Sequence, residues 1–359
     1  MNNPENSLWR DIMEQAVNLR RMREHLYGPE RSAIEQAAAL MSDGPIAFVG
    51  MGSAAYLSLP AQFYLGEYGR PASVIYGSDG FYNLLTALKA MNVIVNSRSG
   101  ATAEIVKVAE ALSAGDVPFV ALTNEPDSVL ARQAARVVWS NCHKDQLVSI
   151  NIVTGMMMAT LVLAAAIVGQ MDSLYQFLDP VVDNMHRIVE QAWRQSDNLL
   201  AHFRRARPIY LLSRGPSHGA AYCGRLVLEE VARHPAVALE GAEFRQGPIE
   251  VVDEDFAAVL FLPGESAQRE LMLTLGEDIA RNGGRVLLVG GDGAEHPDRI
   301  LAFPLPPDLH DAVRPILEVV PLQILAYRLA QAGGVEPGET RYISKVITTE
   351  AGIPRLVQS

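Results

Sequence analysis

The stretch M91-N-V-I-V-N-S-R-S-G-A-T-A-E-I105 joins an apolar run to a helix-like segment through a loop of small, hydroxyl-bearing residues. Its first five residues are typical of a buried strand, and residues 102–112 have the apolar spacing of a helix. A loop that follows a parallel strand offers free N–H groups to a ligand, and the helix dipole favours an anion there. Ser97, Ser99 and Thr102 add hydroxyl groups. The stretch therefore predicts a phosphate-binding loop, or simply a helix capped by Ser99 or Thr102.

Strand and helix signals alternate on both sides of this stretch. Short apolar runs at 46–49, 74–76 and 117–123 predict strands, whereas 7–27, 30–41 and 84–89 have helical patterns. Such alternation predicts an α/β fold in which helices cover both faces of a doubly wound parallel sheet.

The same pattern recurs later in the chain. Asn96 and Thr123 follow two predicted strands at a separation of 27 residues, and Pro263 and Gly290 do the same. We infer two three-layer copies of one α/β unit, joined by helices between 172 and 206. The predicted divisions are a helical segment at 1–45, domains at 46–200 and 201–335, and a tail at 336–359.

Composition excludes several classes of protein. The formal net charge of -11 over 359 residues opposes nucleic-acid binding, which needs a basic face. The two cysteines form neither a disulfide framework nor a metal-ligand pattern, and we expect no metal. The N-terminus shows no secretory signal, so we expect a cytoplasmic protein.

Residues 147–169 form an uncharged segment that is long enough to span a bilayer. Ser149, Asn151, Thr154 and Thr160 interrupt it, and it follows a polar loop. We therefore expect a helix buried within the protein or at a subunit interface, and no membrane partner.

A dinucleotide-binding reading is open as well. The segment G50-M-G-S-A-A55 fits G-x-G-x-x-A, which favours an NAD-dependent oxidoreductase. That fingerprint requires an acidic residue at the end of the second strand. The nearest candidate, Asp79, lies later than expected and in a glycine-rich loop.

Taken together, the motifs resemble those of the tandem sugar isomerase (SIS) domain family, which includes the isomerase half of glucosamine-6-phosphate synthase, amino-sugar-phosphate deaminases and fructosamine-6-phosphate deglycases. The stretches that carry the resemblance are G50-M-G-S53, N96-S-R-S-G-A-T-A-E104, L211-L-S-R-G215, L226-V-L-E-E-V231, G241-A-E-F-R-Q-G-P-I-E250, V319-V-P-L-Q-I-L-A-Y327 and R341-Y-I-S-K-V-I-T-T-E350. The resemblance implies two SIS domains, a sugar-phosphate substrate, no cofactor and a homodimer with active sites at the subunit junction. No glutaminase segment precedes the motifs, so we expect no glutamine-dependent synthase reaction.

The resemblance also implies roles for particular residues. The substrate phosphate would be held by Ser53, Ser97, Arg98, Ser99 and Thr102, with Arg98 at a position where glutamine is frequent. The sugar would be lined by Gly52, Asp145, Gln146 and Val148.

Three further residues match catalytic positions of the family. Glu230 falls on the glutamate that moves the proton between the first two sugar carbons, and Glu229 is the fallback. Lys345 falls on the tail lysine that closes over the active site. Gln246 stands where many members carry a histidine that opens the sugar ring.

Because an amide cannot relay a proton as imidazole does, Gln246 raises the question of what opens the ring. His143, His218 and His234 are candidates, although each is more simply an ordinary loop or surface histidine. Glu243 is expected to anchor its loop by accepting backbone N–H groups.

The sequence thus favours a cofactor-independent aldose–ketose isomerase that acts as a deaminase or deglycase on a phosphorylated amino sugar or fructosamine. A non-catalytic sugar-phosphate sensor with the same fold is the alternative, and the oxidoreductase is a more distant one.

Overall fold

The structure, a computed structural model, describes residues 6–41, 43–292, 298–342 and 346–350. The chain forms two compact units. Among the described residues, the first unit contains those within 17–176 and 340–350, and the second contains those within 6–16 and 177–339.

The first unit is built on a parallel sheet of five strands: β1 (Ile46–Gly50), β2 (Ala72–Tyr76), β3 (Asn92–Ser97), β4 (Phe119–Thr123) and β5 (Arg136–Trp139). Their order across the sheet is β2-β1-β3-β4-β5, with every neighbouring pair parallel. The order reverses between β1 and β3. The loops after these two strands therefore border the crevice at which such sheets bind ligands.

Nine helices lie along the first part of the chain: α1 (Ser7–Tyr27), α2 (Arg31–Leu40), α3 (Ser53–Tyr56), α4 (Leu59–Glu67), α5 (Gly77–Tyr82), α6 (Leu85–Leu88), α7 (Ala103–Ser113), α8 (Val129–Gln133) and α9 (Asn151–Ile167), counted over the residues that the structure describes. The two units divide within α1.

The uncharged segment forms α9, which is buried from Asn151 to Ala165 and packs against α2 and α4. The prediction of a buried helix is confirmed. In the part of the chain that the structure describes, none of the helices combines the length and the apolarity that crossing a bilayer requires.

The second unit repeats this architecture with β6 (Ile209–Ser213), β7 (Ala236–Glu240), β8 (Ala257–Phe261), β9 (Arg285–Val289) and β10 (Ile300–Phe303). Its order, β10-β9-β8-β6-β7, is that of the first sheet when the strands are matched in chain order. The fold class predicted from the sequence is confirmed, and the second sheet reverses between β6 and β8.

The remaining helices are α10 (Met171–Arg194), α11 (Ser196–Phe203), α12 (His218–Ala232), α13 (Gly241–Phe244), α14 (Ala267–Arg281), α15 (Pro315–Glu318) and α16 (Val320–Ala332), with 3-10 turns at Gly215–Ser217 and Pro248–Val251. The two units divide a second time within α10, between Gln176 and Phe177. Pro321 lies in the first turn of α16, where its missing N–H costs no hydrogen bond.

Candidate functional site

The loop between β3 and α7 is held in shape by its own hydroxyl groups. Ser97 Oγ accepts a hydrogen bond from the Gly100 N–H at 3.1 Å, and Ser99 Oγ accepts one from the Ala101 N–H at 3.3 Å. Because both oxygens act as acceptors here, each hydroxyl keeps its own hydrogen to donate to a ligand. These bonds shape the loop without using up its donors.

Gly100 is required by this conformation. Its φ is +57°, in the left-handed region that favours glycine. A Cβ at this position would lie 2.0 Å from Ser128 Oγ. The loop therefore passes closer to α8 than a side chain at residue 100 would allow.

Thr102 occupies the N-cap position of α7 with an extended backbone, but its side chain makes no capping hydrogen bond to any described residue. The simple explanation, in which this hydroxyl caps the helix, therefore does not hold for Thr102. Its hydroxyl lies at the positive end of an eleven-residue helix, where an anion is stabilised.

Two other loops are tied to this one. The Arg98 carbonyl accepts hydrogen bonds from the Asn124 N–H at 3.1 Å and Thr123 Oγ1 at 3.2 Å. The Asn124 side chain then binds the next loop, accepting from the Cys142 N–H at 2.6 Å and donating to the Cys142 carbonyl at 3.0 Å. The loops after β3, β4 and β5 thus form one hydrogen-bonded assembly.

A cavity of about 290 Å³ opens on this assembly. Its lining includes Arg98, Ser99, Asn124, Glu125, Lys144 and Val346. Hydroxyl and cationic groups at a helix N-terminus are the usual composition of a phosphate site.

The loop after β1 lies at the other side of the switch point. Gly52 has a φ of +53°, and Ser53 is the first residue of α3 and is half-buried. Asp79, which the dinucleotide reading requires at the end of β2, instead lies in the first turn of α5 and accepts a hydrogen bond from Asn83 Nδ2 at 3.0 Å.

Asp145 lines the cavity, but its carboxylate accepts hydrogen bonds from the backbone at the start of α9. It accepts hydrogen bonds from the N–H groups of Ile150 at 2.8 Å, Asn151 at 2.9 Å and Ile152 at 2.9 Å. Burial raises the pKa of Asp145, whereas these hydrogen bonds act in the opposite direction. The geometry makes it a helix cap, while Gln146 is exposed and Val148 is buried.

Part of the tail runs over the start of α7. The Ile347 carbonyl accepts a hydrogen bond from the Ala103 N–H at 3.1 Å. Glu350 lies 2.9 Å from Lys107 Nζ and accepts a 2.6 Å hydrogen bond from the Tyr82 hydroxyl, and these contacts lower the pKa of Glu350. Lys345 lies outside the described residues, so its predicted role stays a prediction.

In the second unit, Glu230 is half-buried on α12. The pKa of the Cys223 thiol on the same helix is raised, first by burial and second by the negative charge of Glu230. Glu229, one residue earlier, is exposed and lies 3.7 Å from Arg225. Gln246 is exposed as well.

The expectation that Glu243 anchors its loop is wrong. Its side chain is exposed, and the anchoring carboxylate belongs to Glu240 at the end of β7. Glu240 Oε2 accepts the N–H groups of Ala242 at 2.6 Å and of Glu243 itself at 2.8 Å. The strand end fixes the direction of Glu240, which a linear motif does not reveal.

The histidine candidates differ in their surroundings. His234 is buried and its Nε2 lies 2.6 Å from the Ala206 carbonyl, which is a structural role. His218 is half-buried with its Nδ1 2.7 Å from Ser213 Oγ, and burial lowers its pKa, so it is neutral near pH 7. His143 is half-buried in the loop that Asn124 holds.

A buried charged cluster lies at the corresponding edge of the second sheet. Glu318 is completely buried, 3.5 Å from Arg314 Nε, and accepts a hydrogen bond from Ser217 Oγ at 3.1 Å. Its Oε2 atom has no hydrogen-bond partner in the described ranges. Burial raises the pKa of Glu318 to about 7 despite the charge of Arg314.

Comparison with known proteins agrees with this architecture. The model of the SIS domain matches residues 39–166. The chain contains a SIS domain. The SIS domain match includes the strands β1 to β5 and the loop of residues 97–102, so the family recognised from the motifs is confirmed.

Known proteins also share the architecture of both units. A glutamine–fructose-6-phosphate aminotransferase of Pyrococcus horikoshii is 23% identical over 352 residues, which are 96% of this chain but 58% of that protein. The C-terminal domain of the Francisella tularensis glucosamine-fructose-6-phosphate aminotransferase superposes with a TM-score of 0.79 at 20% identity, covering 92% of this chain and 97% of that one. The Escherichia coli tagatose-6-phosphate ketose/aldose isomerase gives a TM-score of 0.80 at 20% identity, covering 93% and 95%. The chain therefore has the fold of these proteins and spans a little over half of the curated relative.

Several residues of the cavity were not singled out by sequence reasoning. Asn124, Glu125 and Lys144 follow strands or lie in a polar loop, and no motif includes them. The position of Asn124 directly after β4, at the edge where β3 ends, is the signal that identifies it afterwards.

Proposed function

We propose that the protein is a phosphosugar isomerase that acts on a phosphorylated amino sugar or sugar–amine adduct and releases or exchanges the amine. The observation that carries the proposal is the loop of residues 97–102, in which Ser99 and Arg98 line a cavity of about 290 Å³. Thr102 supports it further, because its hydroxyl is not used to cap α7 within the described structure.

The chemistry requires one base. An aldose and a ketose interconvert when a proton leaves one sugar carbon and returns to its neighbour, and a single carboxylate can do both. We assign this step to Glu230, which is half-buried on α12. With an amino sugar, the same proton shift gives an imine, to which water adds as the amine leaves. Atoms and electrons balance with water as the only co-reactant.

The test is turnover. The protein is incubated with glucosamine 6-phosphate or a fructosamine 6-phosphate, and the released amine and ketose or aldose phosphate are followed by mass spectrometry. We expect Thr102→Val to weaken substrate binding about tenfold and Glu230→Gln to abolish turnover while the substrate still binds. Thr86→Val, at an exposed threonine of α6, and Glu229→Gln are the matched controls.

Full activity of Glu230→Gln would remove the assigned base, and loss of activity in Glu229→Gln alone would transfer the role to that residue. Unchanged binding in Thr102→Val would contradict the phosphate loop. The proposal includes a homodimer, and analytical ultracentrifugation tests this. A monomer under the assay conditions would exclude the homodimer.

A second candidate is a sensor that binds sugar phosphates without converting them. The observation in its favour is Gln246, an exposed amide where the family resemblance places a proton-relaying histidine. Saturable binding of the sugar phosphates above without release of amine or isomerisation would support the sensor.

A further inference from the structure

Lys144 and Glu125 form a charged pair inside the candidate phosphate cavity. Lys144 Nζ lies 2.6 Å from Glu125 Oε1, and the two side chains are 62% and 43% exposed. Both line the same cavity as Arg98 and Ser99. A carboxylate is an unexpected neighbour for a bound phosphate, because the two anions repel each other.

The two residues are held by fixed neighbours. Glu125 follows Asn124, whose side chain bonds to both backbone groups of Cys142, and the Glu125 N–H itself donates to Thr123 Oγ1 at 3.2 Å. Lys144 precedes Asp145, which accepts three backbone N–H groups at the start of α9. The backbones on both sides of the pair are therefore fixed, and the pair belongs to the assembly that shapes the phosphate loop.

The pair is easily opened. Ion pairs at this degree of exposure contribute only about 0–1 kcal/mol, because water solvates both partners well. A dianionic phosphoryl group offers Lys144 a stronger partner than a carboxylate does, since hydrogen bonds between two ionised groups strengthen with charge. The lysine ammonium can move to such a ligand by rotation of its side chain alone.

We propose that Lys144 is a further phosphate-binding residue and that Glu125 is a built-in competitor, from which Lys144 transfers to the ligand. This inference rests on the proposed function of the loop at residues 97–102. Glu125 holds the ammonium in the empty site, and it disfavours weakly charged anions because they do not displace it. The pair thereby selects dianionic phosphate esters over singly charged ligands of similar shape.

The experiment is calorimetric titration of the full chain with fructose 6-phosphate and with fructose 6-sulfate, a singly charged analogue, at low ionic strength. Lys144→Met should weaken binding of the phosphate about tenfold, and Lys144→Arg should retain most of it. Glu125→Gln should tighten binding of both ligands, about fivefold for the phosphate and by more for the sulfate. The ratio of the two affinities should therefore become smaller than in the wild type. Lys89→Met, at an exposed lysine in the same unit, is the control.

The possible outcomes distinguish a failure of the roles given to Lys144 and Glu125 from a failure of the proposed phosphate loop. Unchanged affinity in Lys144→Met, with Thr102→Val weakened, would overturn the role of Lys144 and leave the phosphate loop intact. Weaker binding in Glu125→Gln would overturn the competitor role and make Glu125 a positioning residue for Lys144. If Thr102→Val and Lys144→Met both bind normally, the proposed phosphate site itself fails. Thermal unfolding of each variant, expected within about 3 °C of the wild type for surface changes, confirms that affinity and not folding has changed.

Discussion

Replacing Glu318 by glutamine should change how the stability of the second unit depends on pH. The side chain is completely buried, and its pKa rises from 4.5 to about 7 because burial opposes its charge. Between these two values the unfolded chain has lost the proton while the folded protein still holds it. The folded state therefore binds more protons in this window, and its stability falls as the pH rises through it.

The magnitude follows from the two pKa values. At about 1.4 kcal/mol per pH unit, the difference corresponds to about 3 kcal/mol of stability lost between pH 4.5 and 7, with no further change above. Glutamine resembles the protonated acid in shape and cannot ionise. Relative to the wild type, Glu318→Gln should thus gain up to about 3 kcal/mol as the pH is raised from 5 to 8.

Urea unfolding of wild type and variant at half-unit steps of pH measures this difference directly, with fluorescence of Trp193 and Trp9 reporting on the second unit. Glu277→Gln, at an exposed glutamate of α14, is the control. A stability difference between Glu318→Gln and wild type that is independent of pH, or that shifts in favour of the wild type as the pH rises, would contradict a raised pKa for Glu318. It would mean that Arg314, 3.5 Å away, keeps Glu318 ionised throughout.

Three further changes have definite expected outcomes. Asp145→Ala should lower the free energy of unfolding by about 2 kcal/mol, because the start of α9 loses the carboxylate that accepts three backbone N–H groups there. Chemical denaturation checks this loss, and a loss no larger than that of exposed Asp127→Ala would contradict the cap. Gly100→Ala should cost about 1–3 kcal/mol and weaken fructose 6-phosphate binding, since a Cβ would collide with Ser128 in a left-handed backbone; wild-type stability and affinity would show that the loop is shaped otherwise. Lys107→Met should speed hydrogen exchange at the Ala103 amide by removing a partner of Glu350, and protection equal to that of Lys89→Met would show that the ion pair does not hold residues 346–350 in place.

Most of the strands that sequence analysis identified are buried on both faces, although the predicted strand at 74–76 is the partly exposed edge strand β2. β1, β4, β8 and most of β3 are buried along their length, and continuous apolar runs predict such strands. β5, β7 and β10 escaped notice. They are only partly buried, and their short sequences lack a pattern that separates them from loops. Two of them, β7 and β10, are the edges of the second sheet and β5 is an edge of the first.

The residues of the candidate site also divide into those that the sequence predicts and those that it does not. Ser97, Ser99 and Thr102 were recognisable because one short loop carries them all, between a strand and a helix that each have a local signature. Lys144 and Glu125 were not, because they come from different loops and meet only when β4 and the segment after β5 lie side by side. Glu240 and Glu243 show that sequence cannot always distinguish residues that are close together. Both are acidic, and only the direction in which β7 ends decides which one anchors the turn.

Local sequence patterns were enough to predict the two α/β units, the buried character of α9 and the loop most suited to a phosphate. Hydrophobic periodicity, turn chemistry and residue type act over a few residues, so one chain segment is enough to read them. The packed fold was needed to show that the Asp145 carboxylate caps a helix, that Glu318 is buried beside Arg314, and that a lysine and a glutamate line the candidate phosphate cavity. Burial and the partner of a charged group depend on segments far apart in the chain, and their energies exist only once those segments are packed together.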